Sequence, residues 1–339
     1  MTNIFIGISQ SQVDNFQSLI TQLDKQNNYN VLVTAKSVVY DNRVFHNVIT
    51  SGETFNNNAQ SYVEKLINIV IKISHYKKVI NELKPYRREK EITLYFCYIE
   101  DVLTNNLFFF FNKKAKAVVV EDGVLNYYNH TLKNVSKLTF FLKRVISFLY
   151  GINIRKYEGH SSGIDYEKSV CQYVRLPNSS VNPEKSKQLV VEQHKIGNFT
   201  NTILLIGQEP LEAVIGEVEY YKRISCILNN MKELEAYESI KKVYYKPHRN
   251  GKVINKSFLQ LQLNGKDITY LNGGSPIEDV YLSSIKSKYI FGFNTSAAIN
   301  IYMNLCEKER GKLQINVFLE KNDTLKEVFT QMKFNILHL

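Results

Sequence analysis

Two adjacent carboxylates and a glycine follow a run of valines in "VVVEDGVLNYY", residues 118–128. The valines predict a buried strand, so Glu121 and Asp122 would lie at its carboxyl end, with Gly123 free to adopt a positive φ in the next turn. A carboxylate at the mouth of a parallel sheet can take a proton from a hydroxyl nucleophile, which would make it a general base. Neighbouring side chains point to opposite sides of a strand, so the two carboxylates are not expected to share one task. A plain polar exit from the strand is the competing interpretation.

A histidine and several cations follow another predicted strand in "VYYKPHRNGK", residues 243–252. His248 comes directly after a rigid proline, with Lys246 before it and two more basic residues, Arg249 and Lys252, after it. Cations at the carboxyl end of a strand suit a phosphate ligand. A lone histidine is usually a surface or core residue, so the phosphate interpretation depends on these basic neighbours.

Two further segments place small or polar residues next to predicted strands and helices. In "LLIGQEP", Gly207 and Gln208 lie just past a strand, where a glycine lets a ligand approach the backbone. In "NGGSPIEDVYL", Ser275 and Glu278 have the spacing of a capping box, which would explain Glu278 fully. The functional alternative is that Glu278 accepts hydrogen bonds from the sugar hydroxyls of a nucleotide.

A pair of hydroxyls opens a helix in "YIFGFNTSAAIN", residues 289–300. Here a strand ends and Thr295 and Ser296 begin a helix of small residues. A helix N-terminus offers unpaired N–H donors and the positive end of the helix dipole, so this segment predicts a phosphate site. Simple N-capping explains the segment equally well when it is taken alone.

Strands alternate with helices along both halves of the chain, which predicts an α/β protein built on parallel sheets with ligands at the carboxyl ends of the strands. A length of 339 residues favours two domains. We expect an N-terminal Rossmann-like domain at 1–160, a connecting region rich in Gly, Pro, Ser and Asn at 161–200 that contains a short strand at 171–176, and a C-terminal Rossmann-like domain at 201–339.

Composition limits the partners and the compartment. The net charge of +11 predicts attraction to anions, whether nucleic acid, an anionic membrane or a phosphorylated or acidic substrate. The four cysteines form no CxxC pair, and the N-terminus has no signal-peptide pattern, so we expect a cytoplasmic protein. No Asp-x-Asp motif is present, which argues against a metal-bridged nucleotide diphosphate, and no Walker or GxGxxG loop occurs.

The order of these motifs resembles a known family. Glu-Asp-Gly at an N-domain strand end, Lys-Pro-His after a C-domain strand, Pro-x-Glu and a hydroxyl pair at a helix start are similar to the bacterial sialyltransferases of the GT-B fold. The resemblance is closest to the lipooligosaccharide sialyltransferases, glycosyltransferase family 52, and the related polysialyltransferases share the motifs. It implies two Rossmann-like domains facing across a deep cleft, a CMP-sialic acid donor, inversion at the anomeric centre and no metal or other cofactor.

The resemblance also implies roles for individual residues. Glu121 matches the catalytic base, and His248 matches the histidine that binds and protonates the CMP phosphate. Glu278 matches the carboxylate that holds the CMP ribose. Thr295 and Ser296 match the hydroxyl pair that contacts the phosphate. Gly207 matches a glycine that lines the donor cleft, and Gln208 and Lys246 are expected in the same donor site. Asp122 and Gly123 complete the motif of the base or shape the acceptor loop.

One departure and two alternatives accompany this hypothesis. The family's motif is His-Pro, whereas here the proline precedes His248 and Arg249 follows it. The family also contains hexosyltransferases, so another GT-B transferase with a different nucleotide sugar is the first alternative. A basic, non-enzymatic nucleic-acid-binding protein is the second, although no recognised nucleic-acid module is present and we expect no nucleic-acid partner. The implied acceptor is a galactoside-type hydroxyl of a bacterial surface glycan such as lipooligosaccharide or capsule.

A basic amphipathic segment, "SKLTFFLKRVISFLYGINIRK" at residues 136–156, allows two interpretations. It predicts a helix with Leu138, Phe141, Val145, Phe148 and Leu149 on one face, accompanied by the basic residues Lys137, Lys143, Arg144, Arg155 and Lys156. A core helix of the N-terminal domain is one interpretation. The other is an interfacial helix that holds the protein peripherally at the inner face of the cytoplasmic membrane.

Overall fold

The computed structural model describes residues 1–23, 28–52, 62–131, 137–248, 251–272, 277–320 and 323–338. The predicted basic residue Arg249 and the capping residue Ser275 of the predicted capping box therefore lie outside the described residues. The chain divides into two compact units, Met1–Val191 and Glu192–Leu339.

The first unit is a seven-stranded sheet in the order β3-β2-β1-β4-β5-β6-β7, with every pairing parallel. Its strands are β1 (Thr2–Ile6), β2 (Tyr29–Thr34), β3 (Asn47–Thr50), β4 (Ile92–Phe96), β5 (Lys116–Val120), β6 (Ser169–Val174) and β7 (Ser186–Gln188). Its helices are α1 (Gln10–Gln22), α2 (Tyr62–Glu82), α3 (Val102–Asn106) and α4 (Lys137–Leu149).

Alternation along the strands buries both faces of this sheet. Phe5 of β1 packs with Phe16 and Leu19 of α1 in one apolar cluster. The adjacent Ile4 points the other way, into a second cluster that includes Tyr76 of α2. A parallel sheet covered on both faces explains why its strands are almost continuously apolar, as the sequence predicted.

The predicted connecting region at 161–200 differs from what the structure shows. Strands β6 and β7 fall inside it and extend the first sheet, and the first unit continues to Val191. The strand expected at 171–176 overlaps β6, whereas β7 was not predicted and neither strand was assigned to the first sheet, because buried polar side chains interrupt the apolar pattern. Ser169 donates to the Gly163 carbonyl at 2.7 Å, and Gln172 donates to the Ser186 hydroxyl at 2.8 Å. Such pairs make polar burial affordable but leave no hydrophobic periodicity to detect.

The second unit is a six-stranded parallel sheet in the order β10-β9-β8-β11-β12-β13. Its strands are β8 (Thr200–Ile206), β9 (Lys242–Lys246), β10 (Asp267–Tyr270), β11 (Ser287–Phe293), β12 (Gln314–Phe318) and β13 (Asn335–Leu337). Its helices are α5 (Glu212–Ile215), α6 (Glu217–Lys232), α7 (Lys256–Gln262), α8 (Ile277–Val280), α9 (Ser296–Met303), α10 (Glu307–Arg310) and α11 (Lys326–Gln331).

The strand order of the second sheet reverses direction between β8 and β11. Such a switch point leaves a crevice beyond the carboxyl ends of the two strands, because their helices cross to opposite faces. Together the two doubly wound sheets confirm the predicted α/β, two-domain class. None of the helices in the described ranges combines the length and apolarity that crossing a bilayer requires.

Candidate functional site

Five of the predicted donor-binding residues follow neighbouring strands of the second sheet. Gly207 and Gln208 come after β8, Lys246 ends β9, and Thr295 and Ser296 come after β11. Strand β8 pairs with both β9 and β11, and all three run parallel. The carboxyl ends of these strands therefore meet at one edge of the sheet, at the point where its order reverses.

The hydroxyl pair has the predicted position at a helix N-terminus. Thr295 is the N-cap of α9, and its hydroxyl accepts a hydrogen bond from the amide of Ala297 at 3.3 Å. Ser296 is the first helical residue, and both residues are half-buried. N-capping is thus present, and the remaining amides of the first turn still point toward this edge.

The carboxylate predicted to hold a ribose lies next to the same helix. Glu278 is in α8, and its Oε1 accepts a hydrogen bond from Nδ2 of Asn300 in α9 at 2.7 Å. Asn300 is buried, so its amide holds one Glu278 oxygen in a fixed position. The structure therefore places Glu278 beside the helix that carries Thr295 and Ser296.

A buried glutamate that sequence reasoning did not single out organises the strand ends. Glu209 is almost fully buried, accepts from the backbone N–H of His248 at 2.6 Å and also accepts from the Tyr245 hydroxyl. Burial raises the pKa of Glu209, while these donors and the charge of Lys246 lower it. Its position in "LLIGQEP", two residues after a strand-end glycine, was the signal that could have identified it.

The two glycines around Glu209 have no room for a side chain. A Cβ on Gly207 would collide with the Glu209 carboxylate. A Cβ on Gly251 would lie 2.7 Å from the Glu209 Cβ and 2.9 Å from its backbone carbonyl carbon. Gly207 is therefore needed for the packing of Glu209, a role separate from the predicted approach of a ligand.

The basic residues of the second unit are not equally exposed. Lys246 is buried, and its amino group donates to the Pro247 carbonyl at 3.2 Å. His248 is half-buried and begins the loop held by Glu209. Of these two residues, His248 is the better placed to reach a ligand at this edge.

The strand-end glycine of the third neighbouring strand also sets the width of the switch point. Gly292 pairs with Ile206 across β11 and β8. A Cβ on Gly292 would lie 2.9 Å from the Ile206 carbonyl oxygen, closer than such contacts occur in proteins.

In the first unit, Glu121 is fully enclosed. Its relative exposure is 0%, and its Oε1 pairs with Nη1 of Arg175 at 2.5 Å. Its Oε2 accepts from the backbone N–H of Arg175 at 2.6 Å and from the hydroxyl of Tyr127. Asn15 bridges the pair, accepting from Arg175 at 2.9 Å and donating to the Glu121 carbonyl at 3.0 Å. This differs from the expectation of a carboxylate facing a cleft, because a β-strand neighbour supplies a buried arginine that the local sequence does not reveal.

Asp122 is the accessible carboxylate of the pair. It is half-buried, and its backbone N–H donates to Oδ1 of Asn126 at 3.0 Å. Gly123 follows with a φ of 63°, as predicted, and opens the helical turn Gly123–Tyr127.

Across the described ranges, no group of three or more His, Cys, Asp and Glu side chains comes together in a way that could hold a metal ion. The prediction that the chain uses no metal concerns its reaction, and activity after chelation would test it.

Two parallel sheets of this order, in two successive units, define a GT-B fold, and solved structures with that fold are similar to the chain. The GT-B domain of a sialyltransferase from Photobacterium damselae matches at a TM-score of 0.51 and 14% identity, covering 100% of both chains. The glycotransferase of kitacinnamycin matches at 0.51 and 8% identity, covering 99% of this chain and 86% of that one.

The same fold is found in proteins of other activities. A structure described as a UDP-N-acetylglucosamine 2-epimerase from Listeria monocytogenes matches at a TM-score of 0.50 and 12% identity, covering 98% of this chain and 83% of that one. No family model and no curated protein matches the sequence. At these identities the similarity establishes the GT-B fold alone.

Proposed function

We propose that the chain is an inverting, metal-independent glycosyltransferase that moves sialic acid from CMP-sialic acid to a galactoside-type hydroxyl. The observation that carries the proposal is the gathering of Gly207, Gln208, His248, Thr295 and Ser296 at one switch-point edge, with Glu278 beside the same helix. A phosphate and a ribose are the chemical groups that this set of donors and carboxylate suits.

In the proposed reaction the acceptor oxygen forms a bond to the anomeric carbon while the bond from that carbon to the CMP phosphate breaks. The electron pair of the broken bond goes to the phosphate oxygen. His248 and the amides and hydroxyls at the start of α9 stabilise this negative charge, and fixed donors of this kind are effective because they need no reorganisation. The acceptor hydroxyl loses its proton to a carboxylate of the first unit.

The carboxylate that takes the proton has two candidates. The resemblance assigns the base to Glu121, and its place beside Asp122 at the end of β5 supports a base in this segment. Its burial against Arg175 favours the other assignment, in which Asp122 takes the proton and Glu121 fixes the segment that carries it. Both oxygens of Glu121 already accept hydrogen bonds from Arg175 or Tyr127 inside the unit.

The proposed acceptor is a lipid-linked bacterial surface glycan, such as lipooligosaccharide or capsule, built at the inner face of the cytoplasmic membrane. The excess of basic residues supports a substrate or surface that is acidic. Another nucleotide sugar is the second candidate, because the GT-B fold is shared by the kitacinnamycin glycotransferase and by a protein described as a UDP-sugar epimerase.

The test is incubation with CMP-sialic acid and a panel of galactosides, with CMP release and product mass as readouts. Formation of a product heavier than the acceptor by one sialic acid residue supports the proposal. A parallel panel of UDP- and GDP-sugars separates the alternatives, since turnover of one of these but not of CMP-sialic acid would reassign the donor.

A further inference from the structure

Helix α4 has apolar side chains on two opposite sides, and among the residues that the structure describes only one of these sides packs against the first unit. Phe140, Ile146 and Tyr150 contact the core of the first unit, and Ser147 between them is fully buried. These residues satisfy the role of a core helix, which was one interpretation of the sequence. They leave the other side of the helix unexplained.

The outward side of α4 carries five exposed large apolar residues, and we call it the α4 outer face. Phe148 is 70% exposed, Leu149 77% and Phe141 59%, and Leu142 and Val145 are also exposed. Elsewhere in the described residues, exposed apolar side chains such as Val214, Val218 and Leu261 are common singly, which is normal for a protein surface. A cluster of five on one short helix instead marks a surface that binds something apolar.

The charge around the α4 outer face identifies the partner's chemistry. Residues 137–157 contain no Asp or Glu, and Arg144, Arg155 and Lys156 are exposed while Lys143 is half-buried. Arg155 lies over the Phe109 ring at 5.2 Å, and Lys156 pairs with Glu158 at 2.9 Å. Arg144 is exposed and lies at the border of the α4 outer face, whereas Lys143 lies on the packed side between Phe140 and Ser147. An amphipathic helix with cations at the border of its apolar face suits a layer of apolar chains covered by anionic headgroups.

We propose that the α4 outer face docks on the surface of an anionic lipid bilayer, with Phe141, Val145 and Phe148 entering the boundary between headgroups and acyl chains. Arg144 then lies at the level of the headgroups. The helix stays in the plane of the interface, because its opposite side remains packed on the first unit. This docking is independent of the donor specificity proposed above, since no α4 residue belongs to the candidate site.

The experiment is sedimentation of the full chain with vesicles of phosphatidylglycerol and phosphatidylcholine, and with vesicles of phosphatidylcholine alone. Three variants are compared with wild type: Phe148→Ser with Leu149→Ser, Arg144→Glu, and Val218→Ser with Leu261→Ser as the matched control of equally exposed apolar residues on the second unit. Thermal unfolding and turnover of a soluble galactoside show that each variant is folded.

We expect wild type and the control to pellet with anionic vesicles, less so at high salt, and both α4 variants to partition about tenfold more weakly or worse. Equal pelleting of wild type and both α4 variants would reject this face as the docking surface, and absence of wild-type pelleting would reject docking altogether. A wild-type dimer that the Phe148→Ser, Leu149→Ser variant converts to a monomer, without vesicle binding, would assign the face to a second copy of the chain instead. Turnover without vesicle binding, or vesicle binding without turnover, separates the failure of this inference from that of the proposed function.

Discussion

The backbone N–H of His248 donates to Oε2 of Glu209 across 2.6 Å, and the hydroxyl of Tyr245 donates to the other carboxylate oxygen. Through these contacts Glu209 ties the turn after β8 to the loop after β9. The position of His248 thus depends on a residue that would not itself touch the substrate.

Replacing Glu209 with Gln should weaken CMP binding by about tenfold or more, because an amide cannot accept both hydrogen bonds with the strength of a carboxylate. Isothermal titration with CMP measures the effect, and the exposed Glu217→Gln on α6 is the matched control. Unchanged CMP affinity in Glu209→Gln would show that the loop is held without it.

His248→Ala should lower CMP affinity and the turnover number together, because the histidine would contact the phosphate in both the ground state and the transition state. The half-buried position of His248 at the switch-point edge is the reason for this expectation. Steady-state kinetics and CMP titration on the same preparation give both values. Full retention of both would remove His248 from the site.

Two substitutions should distinguish the roles of Glu121 and Asp122, the two carboxylates after β5. Asp122→Asn should reduce turnover by about 10²-fold or more at nearly unchanged melting temperature, the usual scale for loss of a general base. Glu121→Gln should lower the melting temperature, because it leaves the buried Arg175 without its counter-charge.

A double variant, Glu121→Gln with Arg175→Met, tests that second effect. It should recover part of the lost stability, since no unpaired charge remains buried. Near-normal turnover in Asp122→Asn, together with loss of turnover in Glu121→Gln at a preserved fold, would return the role of base to Glu121.

Turnover should persist in excess EDTA, because the sequence lacks an Asp-x-Asp motif and fixed donors can neutralise a monophosphate. The measurement is CMP release before and after chelation. Loss of activity that Mg²⁺ or Mn²⁺ restores would favour a metal-dependent nucleotide-sugar class.

His160 should make the stability of the first unit fall in mild acid. Its ring nitrogens face the Ser162 hydroxyl at 2.7 Å and the Tyr128 carbonyl at 3.0 Å, and burial lowers its pKa below the ordinary value of 6.5, with Asp165 opposing and His130 adding to the shift. In the unfolded chain the histidine binds a proton first as pH falls, so stability is present above about pH 6.5 and is lost on acidification toward the folded pKa.

The variant His160→Gln provides the comparison. The melting temperature of wild type relative to this variant should decrease as the pH is lowered from 7.5 to 5.5, a window chosen to bracket the ordinary pKa of histidine. A difference that stays constant across this range would mean that His160 does not carry the acid sensitivity.

The fold was predictable from the sequence where apolar strands and amphipathic helices alternate along the chain. Strands such as Thr2–Ile6 and Ser287–Phe293 are apolar because both faces of their sheets are covered, and this pattern is visible locally. The edge of the second sheet that carries the candidate donor-binding residues was predictable from the same pattern. Parallel strands bring residues that follow them, such as Gly207 and Thr295, to the same edge of the sheet, whatever the connections between the strands.

The details that escaped prediction depend on contacts between distant residues. Arg175 lies 54 positions from Glu121, and nothing near either residue indicates that the two form a buried pair. A short strand was predicted close to β6, but it was assigned to a connecting region and not to the first sheet, because Ser169 and Gln172 are polar, although each finds a hydrogen-bond partner inside the unit. The exposure of the α4 outer face also required the three-dimensional structure, because a core helix and an interfacial helix share one sequence pattern.

The lack of room for a side chain at Gly292, next to the Ile206 carbonyl, limits how the specificity of this edge could be altered by mutation. Gly292 of β11 lies so close to the main chain of Ile206 in β8 that no side chain fits between the two strands. The gap between the Gly207 turn and the first turn of α9 therefore depends on glycine at position 292. A laboratory selection for a larger donor would have to act through α8 or the loop after β9, whereas substitutions at position 292 would push the strands apart. For the proposed donor site, substitutions in α8 or in the loop after β9 could therefore change the size of the donor that fits, whereas substitution of Gly292 would disrupt the sheet itself.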